Sequence, residues 1–177
     1  QISGLKRYLR KDYDNLFCID LICHGVPSQK AWDKYKNYLS DGKQIESISF
    51  RDKKYGWKSY SVKFKFKDGS EKLIKGSEDK YIRGFIGDIY LRPSCHECKF
   101  KTLNRESDIT LADFWGINNI LEEMDDDKGT SLIFVNSEKG EELLENISDS
   151  IIKKAVDINE AVKYNLSAIK SSYCNPR

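Results

Sequence analysis

Cys95 and Cys98 form a Cys-x-x-Cys pair set behind Pro93, and a turn of that length brings two thiolates to one side, within reach of a single ion. Such a pair serves a zinc site, an iron–sulfur cluster or a dithiol redox couple, or it is two incidental thiols. A zinc ribbon needs a second Cys-x-x-Cys, which the sequence lacks. Thioredoxin-type pairs open a helix directly after a strand, whereas residues 99–106 read as a basic loop. Cys23 closes the apolar run 16–23 and so stands at the carboxyl end of an expected strand, where it is the natural third ligand of a cluster. Cys18 reads as a buried-face residue and Cys174 as part of a loose tail.

Other groups could hold a ligand. Arg51, Lys53, Lys54 and Lys58 surround Gly56-Trp57, a setting for a phosphate-bearing cofactor with Trp57 stacked on its ring, or else a solvated β-loop. Asp113-Phe114-Trp115-Gly116 ends an alternating run with an acid, an indole and a glycine. It suits a cofactor edge as well as a core tryptophan beside a capping aspartate. His24 follows Cys23 and reads equally as a ligand, a proton donor or a structural hydrogen-bonder. The triplet Asp125–Asp127 invites calcium, but the loop lacks glycine at its sixth position and glutamate at its twelfth, so a calcium loop is excluded.

The elements that must position these groups follow from periodicity. Helical spacing marks residues 2–10, 28–39 (stripe Ala31, Trp32, Tyr35, Leu39), 78–89, 137–147 and 157–164. Strands are expected at 16–23, covered on both faces with Cys18 and Cys23 pointing opposite ways, and at 107–114, 131–135 and 151–156. Residues 45–51, 60–67 and 73–75 alternate around the Asp68-Gly69 turn, as an antiparallel meander does. Residues 167–177 have no periodicity. The fold class is therefore mixed α+β: a central mixed sheet with flanking helices and an inserted antiparallel meander.

At 177 residues, with 39% hydrophobic and 33% charged side chains, the chain suits one globular domain with a sizeable core. A formal charge of +2, its basic residues interleaved with acids, argues against nucleic acid. No apolar run approaches the roughly 20 residues that span a bilayer. Five cysteines, an odd count without a stapled-scaffold spacing, favour a reducing, cytoplasmic setting. The start at Gln1, with neither Met nor an apolar leader, reads as a fragment of a longer chain.

Several phrases together resemble a known family. They are Asp20-Leu21-Ile22-Cys23-His24-Gly25-Val26-Pro27-Ser28, then Ser49-Phe50-Arg51-Asp52-Lys53, then Tyr90-Leu91-Arg92-Pro93-Ser94-Cys95 with Cys98-Lys99-Phe100, and finally Ser107-Asp108-Ile109-Thr110 through Asp113-Phe114-Trp115-Gly116. Collinear over nearly the whole chain, they resemble the C-terminal domain of the beta subunit of coenzyme F420 (deazaflavin) hydrogenase/dehydrogenase. The resemblance implies an iron–sulfur flavoprotein oxidoreductase in which FAD exchanges hydride with coenzyme F420 or another organic partner and passes electrons to a 4Fe-4S cluster. It implies Cys23, Cys95 and Cys98 as cluster ligands, and Arg51, Lys53, Trp115 and Gly116 beside the flavin. It also implies an electron-transfer partner protein or subunit and, in longer members, an N-terminal ferredoxin-like module. The family's Thr-Pro-Cys-Gln stretch would place a fourth ligand just before Gln1, leaving this piece an empty thiol site or one that takes up zinc. The competing expectation is a non-catalytic interaction domain with a structural zinc, of the kind associated with surface-polysaccharide synthesis.

Overall fold

A computed structural model describes residues 1–174. In chain order the helices are α1 (Ile2–Leu9), α2 (Gln29–Ser40), α3 (Lys80–Ile86), the single turn α4 (Pro93–His96), α5 (Glu138–Asn146) and α6 (Ile158–Lys163). The strands are β1 (Ile19–Leu21), β2 (Ile45–Asp52), β3 (Ser61–Phe66), β4 (Glu71–Lys75), β5 (Ile109–Asp113) and β6 (Ser131–Val135). They form one mixed and one antiparallel sheet, the expected α+β class. The chain divides into two compact units built from interleaved segments.

The first unit comprises Gln1–Cys23, Lys99–Asp125 and Thr130–Lys170. Its sheet has the order β1-β5-β6, with β1 parallel and β6 antiparallel to β5. Phe114, Ile117, Leu132 and Ala161 are its buried core, and Ala112, Phe134 and Val156 pack around them. One carboxylate fastens the entry to β5. Asp108 accepts the Cys18 amide at 2.8 Å through Oδ2 and the Ser137 hydroxyl at 2.7 Å through Oδ1. Ser137 in turn accepts the Gly140 amide and caps α5. A Cβ at Gly140 would stand 2.2 Å from the Asp108 carbonyl oxygen, so only glycine lets the first turn of α5 settle there. Burial opposes the Asp108 charge, but the Cys18 amide and Ser137 hydroxyl outweigh it and hold the carboxyl below its ordinary range.

Two expectations fail in this unit. The strand over 16–23 shrinks to three residues at a sheet edge, with Ile19 and Leu21 exposed rather than covered on both faces. Cys18 and Cys23 lie outside it, so the opposite-face argument does not apply: the Cys18 amide is spent on Asp108 instead of a ladder. Residues 151–156 form no strand either; Ile152 is 86% exposed, and only Val156 among the apolar residues there packs on the core. Short apolar runs of that kind satisfy a strand pattern without a partner edge to pair with.

The second unit comprises His24–Cys98, Asp126–Gly129 and the chain from Ser171. Its antiparallel meander β2-β3-β4 forms as expected, turning on Gly69 at φ 81°. Val62, Phe64 and Phe66 alternate inward and bury against Tyr35 and Leu39 of α2 and Tyr81 and Ile82 of α3. The simple alternation expected for β2 does not hold. Ile45 pairs with Phe66 and Ile48 with Phe64, and a register shift between them puts both isoleucines on the core face. The helix expected over 78–89 is reduced to α3, because Asp79 caps it and the chain turns back at Gly87. Gly84 has a packing reason to be small: a Cβ there would come within 2.4 Å of the Tyr90 ring.

Asp79, 1% exposed, caps α3 by accepting the Ile82 amide at 2.8 Å and also accepts the Tyr35 hydroxyl. Burial first, then Asp79, raises the Tyr35 pKa far above that of a free phenol. Asp79→Ala loses a cap and strands a buried hydroxyl, so urea denaturation should show a loss of about 2 to 4 kcal/mol. Asp108→Asn puts an amide N–H against a donor, and its cost at neutral pH should be about 1 to 3 kcal/mol. Because the folded Asp108 pKa is depressed, its contribution is present above the unfolded value of about 4 and is lost as pH falls through the folded value. Wild type and Asp108→Asn should therefore converge in stability on acidification; curves that stay parallel between neutral and acid pH would remove Asp108 from this role.

Candidate functional site

The Cys-x-x-Cys pair lies in the second unit, where α4 supplies its turn. Pro93 starts this helix, where its missing N–H costs nothing, and the Cys95 amide closes onto the Arg92 carbonyl at 2.9 Å. The segment after Cys23 is laced onto this turn. Pro27 bridges Leu91, the Arg92 amide donates to the Val26 carbonyl at 2.9 Å, and the Val26 amide donates to Cys95 Sγ at 3.3 Å. Gly25 allows the close approach, since a Cβ there would meet the Leu91 side chain at 2.6 Å. An amide aimed at a sulfur fixes the direction of that sulfur, as the outer contacts of a metal ligand do.

Both histidines of the sequence have structural partners. His24 Nε2 lies 2.9 Å from Asp88 Oδ1 and 3.1 Å from the Phe85 carbonyl, with its ring edge-on to Phe85. Of the roles open in the sequence, the geometry favours the structural one. His96 Nδ1 lies 3.2 Å from the Ser172 carbonyl. The aperiodic tail proves to be a strap. Ser171 Oγ donates to the Cys98 carbonyl at 3.2 Å, Ser172 Oγ donates to the His24 carbonyl, and the Tyr173 amide donates to Asp88 at 2.9 Å. No sequence signal announces this, because single serines far along the chain carry no period. The remainder of that tail, residues 175–177, lies outside the described residues.

The five cysteines are all free thiols. Cys23, at the end of a first-unit segment, is exposed; Cys95 is buried and Cys98 half-buried. Among the described residues no group of three or more Cys, His, Asp or Glu side chains stands close enough to hold a metal. The second unit thus holds two of the three expected ligands in one turn.

The basic and aromatic candidates divide between the units. In the second, the Arg51 guanidinium lies over the Tyr60 ring at 4.5 Å, and Lys53 Nζ donates to the Lys128 carbonyl at 3.1 Å. Trp57 is buried, so the stacking surface expected of it is taken up by packing. Its amide donates to Asp127, and a Cβ on Gly129 would stand 2.7 Å from its ring. The acidic turn 126–129 is a plug for this loop: Asp127 Oδ1 accepts the Lys58 amide and Asp126 accepts the Lys128 amide, as a solvated turn does. In the first unit, Trp115 is 38% exposed after β5. Gly116 adopts φ 79° with the Tyr164 ring 2.3 Å from where a Cβ would be, so its place is set by packing and backbone conformation together.

Thiol accessibility provides a direct check. A disulfide reagent on the native protein should label exposed Cys23 and Cys174 first and Cys98 more slowly, with Cys18 and Cys95 protected until unfolding. Mass mapping that finds Cys95 among the fast sites would contradict the packing of α4.

No described helix is long and apolar enough to cross a membrane. Among solved structures, a chain of the F420-reducing NiFe hydrogenase complex from Methanosarcina barkeri aligns with a TM-score of 0.47 and 12% identity, covering 94% of this chain and 53% of that one. The present chain thus spans about half the length of that chain. The family described as the C terminus of the coenzyme F420 hydrogenase/dehydrogenase beta subunit matches residues 1–161, which include Cys23, Cys95, Cys98 and the run from Ser107 to Gly116. The chain belongs to this family of oxidoreductase beta subunits.

Proposed function

We propose that this chain is the electron-transfer domain of an iron–sulfur flavoprotein, in which a 4Fe-4S cluster works beside an FAD that exchanges hydride with coenzyme F420 or a similar organic partner. The observation that carries the reading is the Val26 amide donating to Cys95 Sγ, in the turn where Cys98 completes the pair. Thiolate donors with backbone amides directed at sulfur suit a thiophilic iron centre. The described residues fit such a centre in part, since two thiols share one turn and no set of three stands assembled. Cys95 and Cys98 would hold the cluster together with Cys23 and a ligand from another segment.

Arg51, Lys53, Trp115 and Gly116 are the proposed flavin contacts. Arg51 brings a fixed charge for a phosphate, its plane held on Tyr60, and Trp115 brings exposed ring surface. A flavin supplies the hydride and single-electron chemistry, and the protein contributes binding, orientation and potential. The family's description as a beta subunit supports a second subunit as the electron partner. The free cysteines agree with a domain that works in a reducing compartment.

The test is iron, sulfide, zinc and flavin content after anaerobic purification of the native full-length protein, as wild type and as Cys95→Ser. The expected result is about four irons with matching sulfide, plus flavin, and at least a fivefold fall in iron for the variant with its fold intact. Zinc without flavin in the wild type would replace the redox reading with a metal-stapled interaction domain. Neither iron nor flavin after reconstitution would end it.

A further inference from the structure

The first unit has a half-open cavity of about 420 Å³ between its sheet and α6, a size that suits a small ligand. Its wall combines an apolar side, from Phe134 and Ile158 among others, with a polar end made by Arg105, Thr110 and Asn136. Among the described residues, Arg105 is the only charged one that lines it. Behind the wall, Asp20 Oδ2 meets Arg105 Nη1 at 3.3 Å. Asp20 stands in register with Thr110, and Thr110 with Phe134, so one row across the three strands runs from the carboxylate to the apolar floor.

The pair is loosely engaged. Arg105 Nε and Asp20 Oδ1 are both buried with no hydrogen-bond partner, where a bidentate clamp would have used both. Asp20 therefore orients the guanidinium without consuming its donors. The Asn136 amide is held by Ser107 Oγ at 3.0 Å and Thr110 Oγ1 at 2.9 Å, which fixes the rest of the polar end. A preset guanidinium in a half-apolar cavity, with no carboxylate among the described residues of its lining, selects an anion that carries an apolar body.

We propose that this cavity binds a small organic acid, one carboxylate or phosphate on a ring-sized apolar body, with Arg105 as its anchor and Asp20 as the positioning residue behind it. The site needs neither cluster nor flavin, so it stands or falls apart from the redox reading. The test uses benzoate, phenyl phosphate, neutral benzamide and inorganic phosphate, titrated into the protein while the Arg105 Nε–H resonance and the binding isotherm are followed.

Benzoate or phenyl phosphate should saturate and shift that resonance, the tighter of the two naming the head group. Benzamide and inorganic phosphate should each bind at least tenfold more weakly. Arg105→Leu should lower the affinity for the acid at least tenfold. Should that variant fail to fold, Ile158→Trp, which fills the cavity from a residue 48% exposed, should do the same without touching the anchor. Benzamide binding as tightly as benzoate, affinity unchanged in the folded variants, or no saturable binding of either acid would overturn the proposal.

Discussion

The first unit depends on a single buried carboxylate. Asp108 is where the approach to β1, the start of β5 and the cap of α5 meet, and each delivers a donor or a backbone surface to it. A buried anion is costly unless its lone pairs are used, and two short hydrogen bonds use them here. Since β5 is the middle strand, its placement decides where β1 and β6 can pair, and through them the cavity wall and the backbone leading to Trp115. One residue outside any regular element thus organises the elements around it.

The second unit rests on a different principle, aromatic and aliphatic packing on one face of a meander. Its cysteine turn owes its shape to backbone groups rather than to the core. Pro93 sets the turn, Gly25 lets the facing segment approach, and the serines of the strap satisfy carbonyls around it. The thiol pair is therefore presented by a scaffold built largely of main-chain hydrogen bonds, which hold direction well.

What could be read from sequence was what is local. The meander with its Gly69 turn, the helices expected over 137–147 and 157–164, and the stripe of α2 all express spacing within a dozen residues, and they hold. The run 16–23 misled because apolar content does not reveal whether a second strand will cover it, and β1 lies at an edge. Trp57 misled because the glycine that seals it, Gly129, is far along the chain. The long phrases around the cysteine pair were legible as family. The cavity was not, since its wall is gathered from several segments and its anchor, Arg105, sits in a stretch that reads only as a basic loop. Nor was the strap, whose serines belong to no motif.

That strap has a consequence for synthesis. Ser171 reaches the Cys98 carbonyl across 73 positions of chain, and Ser172 and Tyr173 close on His24 and Asp88 from the same end. On the ribosome the two thiols emerge, and their turn can form, well before the residues that lock it have been translated. At a translation speed of about 5 to 20 residues per second, that interval lasts several seconds. During it the turn after Cys95 stands without the strap's hydrogen bond to the Cys98 carbonyl, which forms only once Ser171 has been made.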